Sequence, residues 1–224
     1  MRVLTDSSEE VKWLESLYRL FIIPDTVEPL AEFYFKLKFT SDFGVYLAQH
    51  GLFALHAAAF RNKGGLGILL VGASGSGKST IAFSAFSGGY PYVSDENVLC
   101  RRDVDGIRLL PFVNQIGLRG DAPGKIFYDI LEHHPQYTFC QIPADIVVFP
   151  RVTAGRVSTL ESITDRRTVI HTLLQNIIWV NDKVLREQQA YLLEELSGLP
   201  AYSLLLGEDH KQRPQVAIGV LNGI

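Results

Sequence analysis

A chain of 224 residues, 47% apolar and 20% charged, has the length of one large domain or two small ones and can bury a core. A net charge of −3 argues against a nucleic-acid surface, which carries a basic stripe. No apolar run reaches the roughly 18 residues that span a bilayer, and "MRVLTDSSEEVKWLE" carries charges where a signal peptide would be apolar. A cytoplasmic protein without nucleic-acid or membrane partners is therefore expected. Cys100 and Cys140 are too few for a disulfide framework and lack metal-site spacing, so buried or neutral thiols are expected.

Residues 7–21 open as a helix, with Ser7 and Glu10 at capping-box spacing and Val11, Leu14, Leu17, Tyr18 and Phe21 on one face. "EFYFKLKF", "FGVYLAQ" and "LFALHAAAF" read as strands. "RNKGG" reads as a hairpin turn and "LGILLVG" as a strand buried on both faces. "KSTIAFSAFSGG" reads as a helix stopped by Gly88-Gly89. "YPYVSDENVLCRR" and "GIRLLPF" read as strands joined at Asp105-Gly106, and "GKIFYDILEHH" as a short helix. "ADIVVFPRV" reads as a buried strand. Residues 164–180 and 182–198 read as two helices, and "AYSLLLGEDH" and "QVAIGVL" as closing strands. The pattern predicts a mixed α/β fold with much antiparallel pairing and a helical last third. Residues 1–50 are expected to pack on a domain spanning 51–224, in one continuous unit.

The stretch "LLVGASGSGKST" carries the chemistry. Gly72, Ala73, Ser74, Gly75, Ser76, Gly77, Lys78 and Ser79 match G-x-x-x-x-G-K-[ST] between a buried strand and a helix. Glycines let the backbone wrap an anion with its N–H groups, and the helix N-terminus adds partial positive charge. Lys78 can reach β and γ phosphates, and the Ser79 hydroxyl can sit on Mg²⁺. Thr80 closes this nucleotide-binding run, its side chain expected to pack the helix. The alternative is a Gly/Ser-rich turn without a ligand.

Asp95 and Glu96 are the next acids, at the end of an apolar strand. Adjacent residues on a strand face opposite ways, so one carboxylate can serve Mg²⁺ while the other accepts a proton from an attacking hydroxyl. The alternative is an acidic turn with Asn97. His56 interrupts an apolar strand and needs a partner if buried. It reads as a core histidine or as part of a site.

Over roughly residues 50–125, and chiefly in the run 55–102, the chain resembles the catalytic domain of the HPr kinase/phosphorylase family. The histidine strand, phosphate loop, helix stop and acid pair come in the family's order, with His56 16 residues before Gly72 and Asp95 23 after it. The resemblance implies ATP and Mg²⁺, with Lys78 on the phosphates, Asp95 as the general base for a substrate serine and His56 near the transferred phosphate. Ser79 and Glu96 would serve the metal, although the family usually has Asp at the second acid. In "LLPFVNQIGLRGDAP", Arg119 falls on a recurring basic position that could neutralise phosphate. Asp121 falls on an acidic one that could stand in for a downstream metal-side glutamate. The large N-terminal domain and the glycine-rich signature of full-length family members are not recognisable. HPr as the substrate therefore does not follow. The chain is similar to short relatives such as the kinases of peptide natural-product clusters, including lasso peptide kinases. The implied function is an ATP-dependent serine kinase of a peptide or small protein. A small-molecule or sugar kinase and a non-catalytic nucleotide-binding regulatory module stay open, and so does a homo-oligomer.

Overall fold

The computed structural model describes residues 2–4, 32–34, 41–119, 125–153, 158–207 and 213–224. In chain order its elements are β1 (Arg2–Leu4), β2 (Glu32–Tyr34), α1 (Ser41–Gln49), β3 (Leu52–Leu55), β4 (Ala57–Arg61), β5 (Gly67–Val71), α2 (Lys78–Ser87) and β6 (Tyr92–Ser94). There follow β7 (Val98–Asp103), β8 (Gly106–Leu110), β9 (Gln115–Arg119), β10 (Lys125–Asp129), α3 (Ile130–His133), β11 (Ile142–Pro143) and β12 (Ile146–Val152). The last are β13 (Thr159–Ser162), α4 (Arg166–Leu174), α5 (Lys183–Leu196), β14 (Ala201–Leu206) and α6 (Arg213–Leu221). This is the mixed α/β class that the pattern predicts.

The six-stranded central sheet has the order β13-β14-β12-β5-β4-β6. Its middle trio β14, β12 and β5 is parallel and the flanking strands are antiparallel. A four-stranded antiparallel sheet, β11-β8-β7-β3, stands beside it, and β9 and β10 form a separate hairpin. Period-two alternation assigns the faces. Leu69, Val71, Val147 and Phe149 join a core with Cys100 and Leu109 of the second sheet and with Val169, Leu173, Leu192 and Leu196 of α4 and α5. Ile68, Leu70, Ile146 and Val148 join the opposite core with Ile81 and Ala85 of α2 and Ala217, Ile218 and Leu221 of α6. Strand β5 is buried on both faces, as its unbroken apolar run predicts.

Several elements differ from the sequence reading. "FGVYLAQ" is helical: in α1, Phe43, Leu47 and Ala48 are the buried residues, a 3.6-residue spacing. "QVAIGVL" is likewise helix α6, burying Ala217, Ile218 and Leu221, and its β-branched residues yield to that packing. "GKIFYDILEHH" is a strand followed by a single helical turn that Asp129 caps by accepting from the Glu132 N–H. Helix α4 stops at Leu174, because Asn176, Ile177 and Ile178 leave it to bond the β3 region. The β7–β8 turn has Val104 and Asp105 at its tip, with Gly106 pairing Asp103. The expected helix over residues 7–21 lies outside the described residues. Arg102 meets Glu195 at 2.6 Å, and Arg166 donates to Ser197 and to the Glu194 carbonyl. Each of the Arg101-Arg102 and Arg166-Arg167 pairs thus has an arginine held by a partner elsewhere in the fold. Cys100 is buried and Cys140 is partly buried. Among the described residues no helix is long and apolar enough to cross a membrane.

Candidate phosphate-binding site

Residues 72–77 leave β5 at its carboxyl end and enter α2. Gly77 makes the entry, with φ +104°, and a Cβ there would lie 2.8 Å from Leu206 Cδ1. Only glycine takes this conformation without strain. The N-cap residue of α2 is Gly77, which has no side chain to cap the helix, and a helix start of that kind suits an anion. Lys78 is 5% exposed. Its Nζ curls back to donate to the Gly72 carbonyl, to the Ala73 carbonyl at 3.2 Å and to His56 Nε2 at 3.3 Å.

His56 and the acid pair occupy equivalent places in the topology. The run 52–61 passes from the four-stranded sheet (β3) to the six-stranded one (β4), and His56 is the residue between. The run 92–103 makes the reverse crossing from β6 to β7, with Asp95, Glu96 and Asn97 between. The sequence reading took each run as one strand. It breaks because neither sheet can pair a residue that leaves it. The His56 N–H donates instead to the Asn176 carbonyl at 2.7 Å. The two crossings touch: His56 Nδ1 donates to the Glu96 carbonyl at 2.8 Å. That bond places the ring proton on Nδ1 and leaves Nε2 to accept from Lys78. Glu96 takes φ +63°, and no other non-glycine among the described residues has a positive φ. Such a conformation costs about 1–2 kcal/mol, and at functional sites it is a recurring one.

Asp95 is fully buried. Its Oδ2 accepts from the Gly117 N–H of β9 at 3.1 Å, and the Ser79 hydroxyl and the Glu96 N–H also lie against the carboxylate. Burial, and after it the charge of Glu96, push the carboxyl up to about 6. The Glu96 N–H, the Ser79 hydroxyl and the Gly117 N–H pull in the opposite direction. A carboxyl held near that value can exchange a proton around neutrality. Ser76 Oγ, in the loop, is a buried polar atom without a partner.

A cleft of about 430 Å³ runs over the loop. His56, Ser74, Gly75, Gly77, Lys78, Ser79, Thr80 and Glu96 line it. Gly72 is buried and Ala73 is exposed on the loop. Thr80 is exposed on the cleft and does not pack the helix, because its side chain points away from Ile81 and Ala82 on the buried face of α2. Asp95 lies behind the wall. Arg119 ends β9 opposite Lys125, and nothing is described of its side chain. Asp121 lies outside the described residues. Sequence reasoning missed Gly117, whose backbone meets Asp95, because the contact is tertiary. It also missed Val152, Leu206 and Pro214, which line the same cleft. The carboxyl ends of the parallel strands were the available signal for the first two.

A solved structure has a similar shape. The HPr(Ser) kinase/phosphatase from Coxiella burnetii aligns over 76% of this chain and 94% of that chain, with a TM-score of 0.46 and 12% identity. A likeness at that distance does not assign an activity. No family model matches the chain, and no curated protein matches it.

The residues present fit a phosphate group with Mg²⁺. The glycine cradle, the helix start without an N-cap side chain and the buried lysine suit an anion, and the buried Ser76 hydroxyl adds polar capacity. Among the described residues no three His, Cys, Asp or Glu side chains converge on one point. A cation here would therefore be shared with phosphate oxygens, as Mg²⁺ commonly is.

Proposed function

We propose that the protein is a kinase that moves the γ-phosphate of ATP to a serine hydroxyl of a peptide or small protein. The observation that carries this reading is the placement of a fully buried carboxylate, Asp95, against the Ser79 hydroxyl at the start of α2. A loop that only binds phosphate needs no such group. In this reading the loop of residues 72–79 holds the phosphates, Lys78 leaves its carbonyl partners to reach them, and His56 steadies Lys78. ATP with Mg²⁺ supplies the phosphoryl group and charge neutralisation. In the same reading Ser79 and Glu96 would hold the metal. Asp95 takes the acceptor proton, which requires β9 at Gly117 to withdraw, since the carboxylate has no exposed surface. Positioning and charge neutralisation supply most of the catalysis.

The enclosure of Asp95 favours a second reading, a nucleotide-binding regulatory module that never presents its carboxylate to an acceptor. γ-Labelled ATP with Mg²⁺ and a panel of serine peptides, small proteins, free serine and sugars separates the two. Label on a peptide serine, lost with Asp95→Asn and with Lys78→Ala, is the expected result. Tight ATP binding with no labelled acceptor would select the second reading, and label on a sugar alone would overturn the acceptor class.

A further inference from the structure

The cleft over the phosphate loop is also lined by the apolar residues Val152, Leu206 and Pro214. Strands β5, β12 and β14 run parallel, so their carboxyl ends open on the same side. That is the side on which open α/β sheets take their ligands. The register gives the spacing. Val148 pairs with Leu70, and Val152 pairs with Leu206. The Pro150 carbonyl would lie 3.6 Å from a Cβ on Gly72, which places Val152 just beyond the loop. Leu206 touches the loop at Gly77. Residues Ile146–Pro150 of β12 are buried, whereas Val152 is 41% exposed. An exposed apolar side chain thus lines the same cleft as the polar loop.

We propose that this apolar lining binds the nucleobase of the nucleoside triphosphate, with Val152 and Pro214 against the base and Leu206 closing the contact toward Gly77. The inference rests on the phosphate reading of residues 72–79. A loop that holds phosphates leaves the base to other residues, and a purine face is apolar. The cleft is continuous from the loop to Val152, and its volume is within the usual range for small-molecule sites. Val152, Leu206 and Pro214 carry no hydrogen-bonding side-chain group. The contact made by these three side chains therefore reads apolar area and shape.

Calorimetry on the full chain with Mg²⁺ and inorganic tripolyphosphate, ATP or GTP tests this. The parent, Val152→Asn and Val152→Phe would be compared, the Asn variant being neutral so that it does not repel phosphate. ATP and GTP are expected to bind the parent more tightly than tripolyphosphate does. Val152→Asn should narrow that gap about fivefold, from the loss of roughly 40 Å² of apolar contact. Val152→Phe should widen it, and tripolyphosphate should bind all three proteins equally. An unchanged ATP-to-tripolyphosphate ratio in both variants would overturn the proposal, as expected if the acceptor occupies the apolar lining. Equal weakening of both ligands by both variants would also overturn it, since Val152 would then act through the loop. If the parent bound neither tripolyphosphate nor ATP, the phosphate reading itself would fall.

Discussion

Asp95 sets two opposing demands at the residue scale. Its carboxyl binds a proton more tightly folded than unfolded, with its value moved from 3.8 to about 6. The folded chain therefore holds more protons than the unfolded chain between those values, and stability falls as pH rises through that window. A rise of two units corresponds to roughly 3 kcal/mol of stability lost by neutral pH. In the nucleotide-free protein, Asp95→Asn should therefore melt several degrees higher than the parent at pH 7.5. The difference should shrink or vanish near pH 4, where both proteins carry a neutral group. Differential scanning calorimetry at the two pH values checks it, and equal melting temperatures at pH 7.5 would contradict the buried charge. Cys100 makes a second prediction. Burial alone pushes its thiol up to about 12, so a maleimide should leave it unmodified in the folded chain and modify it after denaturation. Cys140, half buried at the Tyr92 carbonyl, should react first.

Local backbone geometry decides the outcome at the scale of elements. The Gly77 entry to α2 combines φ +104° with contact to Leu206. Gly77→Ala meets both penalties, and a loss of about 2 kcal/mol or more is expected in urea unfolding. Glu96→Gly acts in the other direction. At φ +63° glycine relieves a strain of about 1–2 kcal/mol against its own entropy cost of about 0.5–1 kcal/mol, so urea unfolding should show a net gain of up to about 1 kcal/mol and no loss. The same substitution should weaken Mg²⁺-dependent nucleotide binding if the Glu96 carboxylate serves the metal. Strand β5 and helix α2 were legible because the glycine-rich loop and the glycine stop bound them on either side and so removed the ambiguity of a short apolar run. Helices α1 and α6 were not, because runs such as "FGVYLAQ" and "QVAIGVL" are short and apolar and fit both periods until their packing partners are known.

On the scale of the whole molecule, the core sits on both faces of the central sheet. Leu69 is fully buried among residues from both sheets and from the helices α4 and α5. Leu69→Ala should cost about 2–5 kcal/mol by urea unfolding, with a single transition if both sheets unfold together. Two transitions would show that the four-stranded sheet is an independent unit.

The sequence by itself determined the phosphate loop, its strand and its helix, because glycine spacing, an apolar run and a lysine-hydroxyl end are local features. It also pointed to His56, Asp95 and Glu96 as polar residues in apolar runs. Tertiary structure decided that these residues sit where the chain changes sheets, that His56 holds both Lys78 and Glu96, and that Gly117 covers Asp95. It also decided that Val152 and Leu206 share the cleft with the loop. Each of these is a contact between residues more than 20 positions apart in the chain, and spacing along a sequence carries no information about which strands become neighbours.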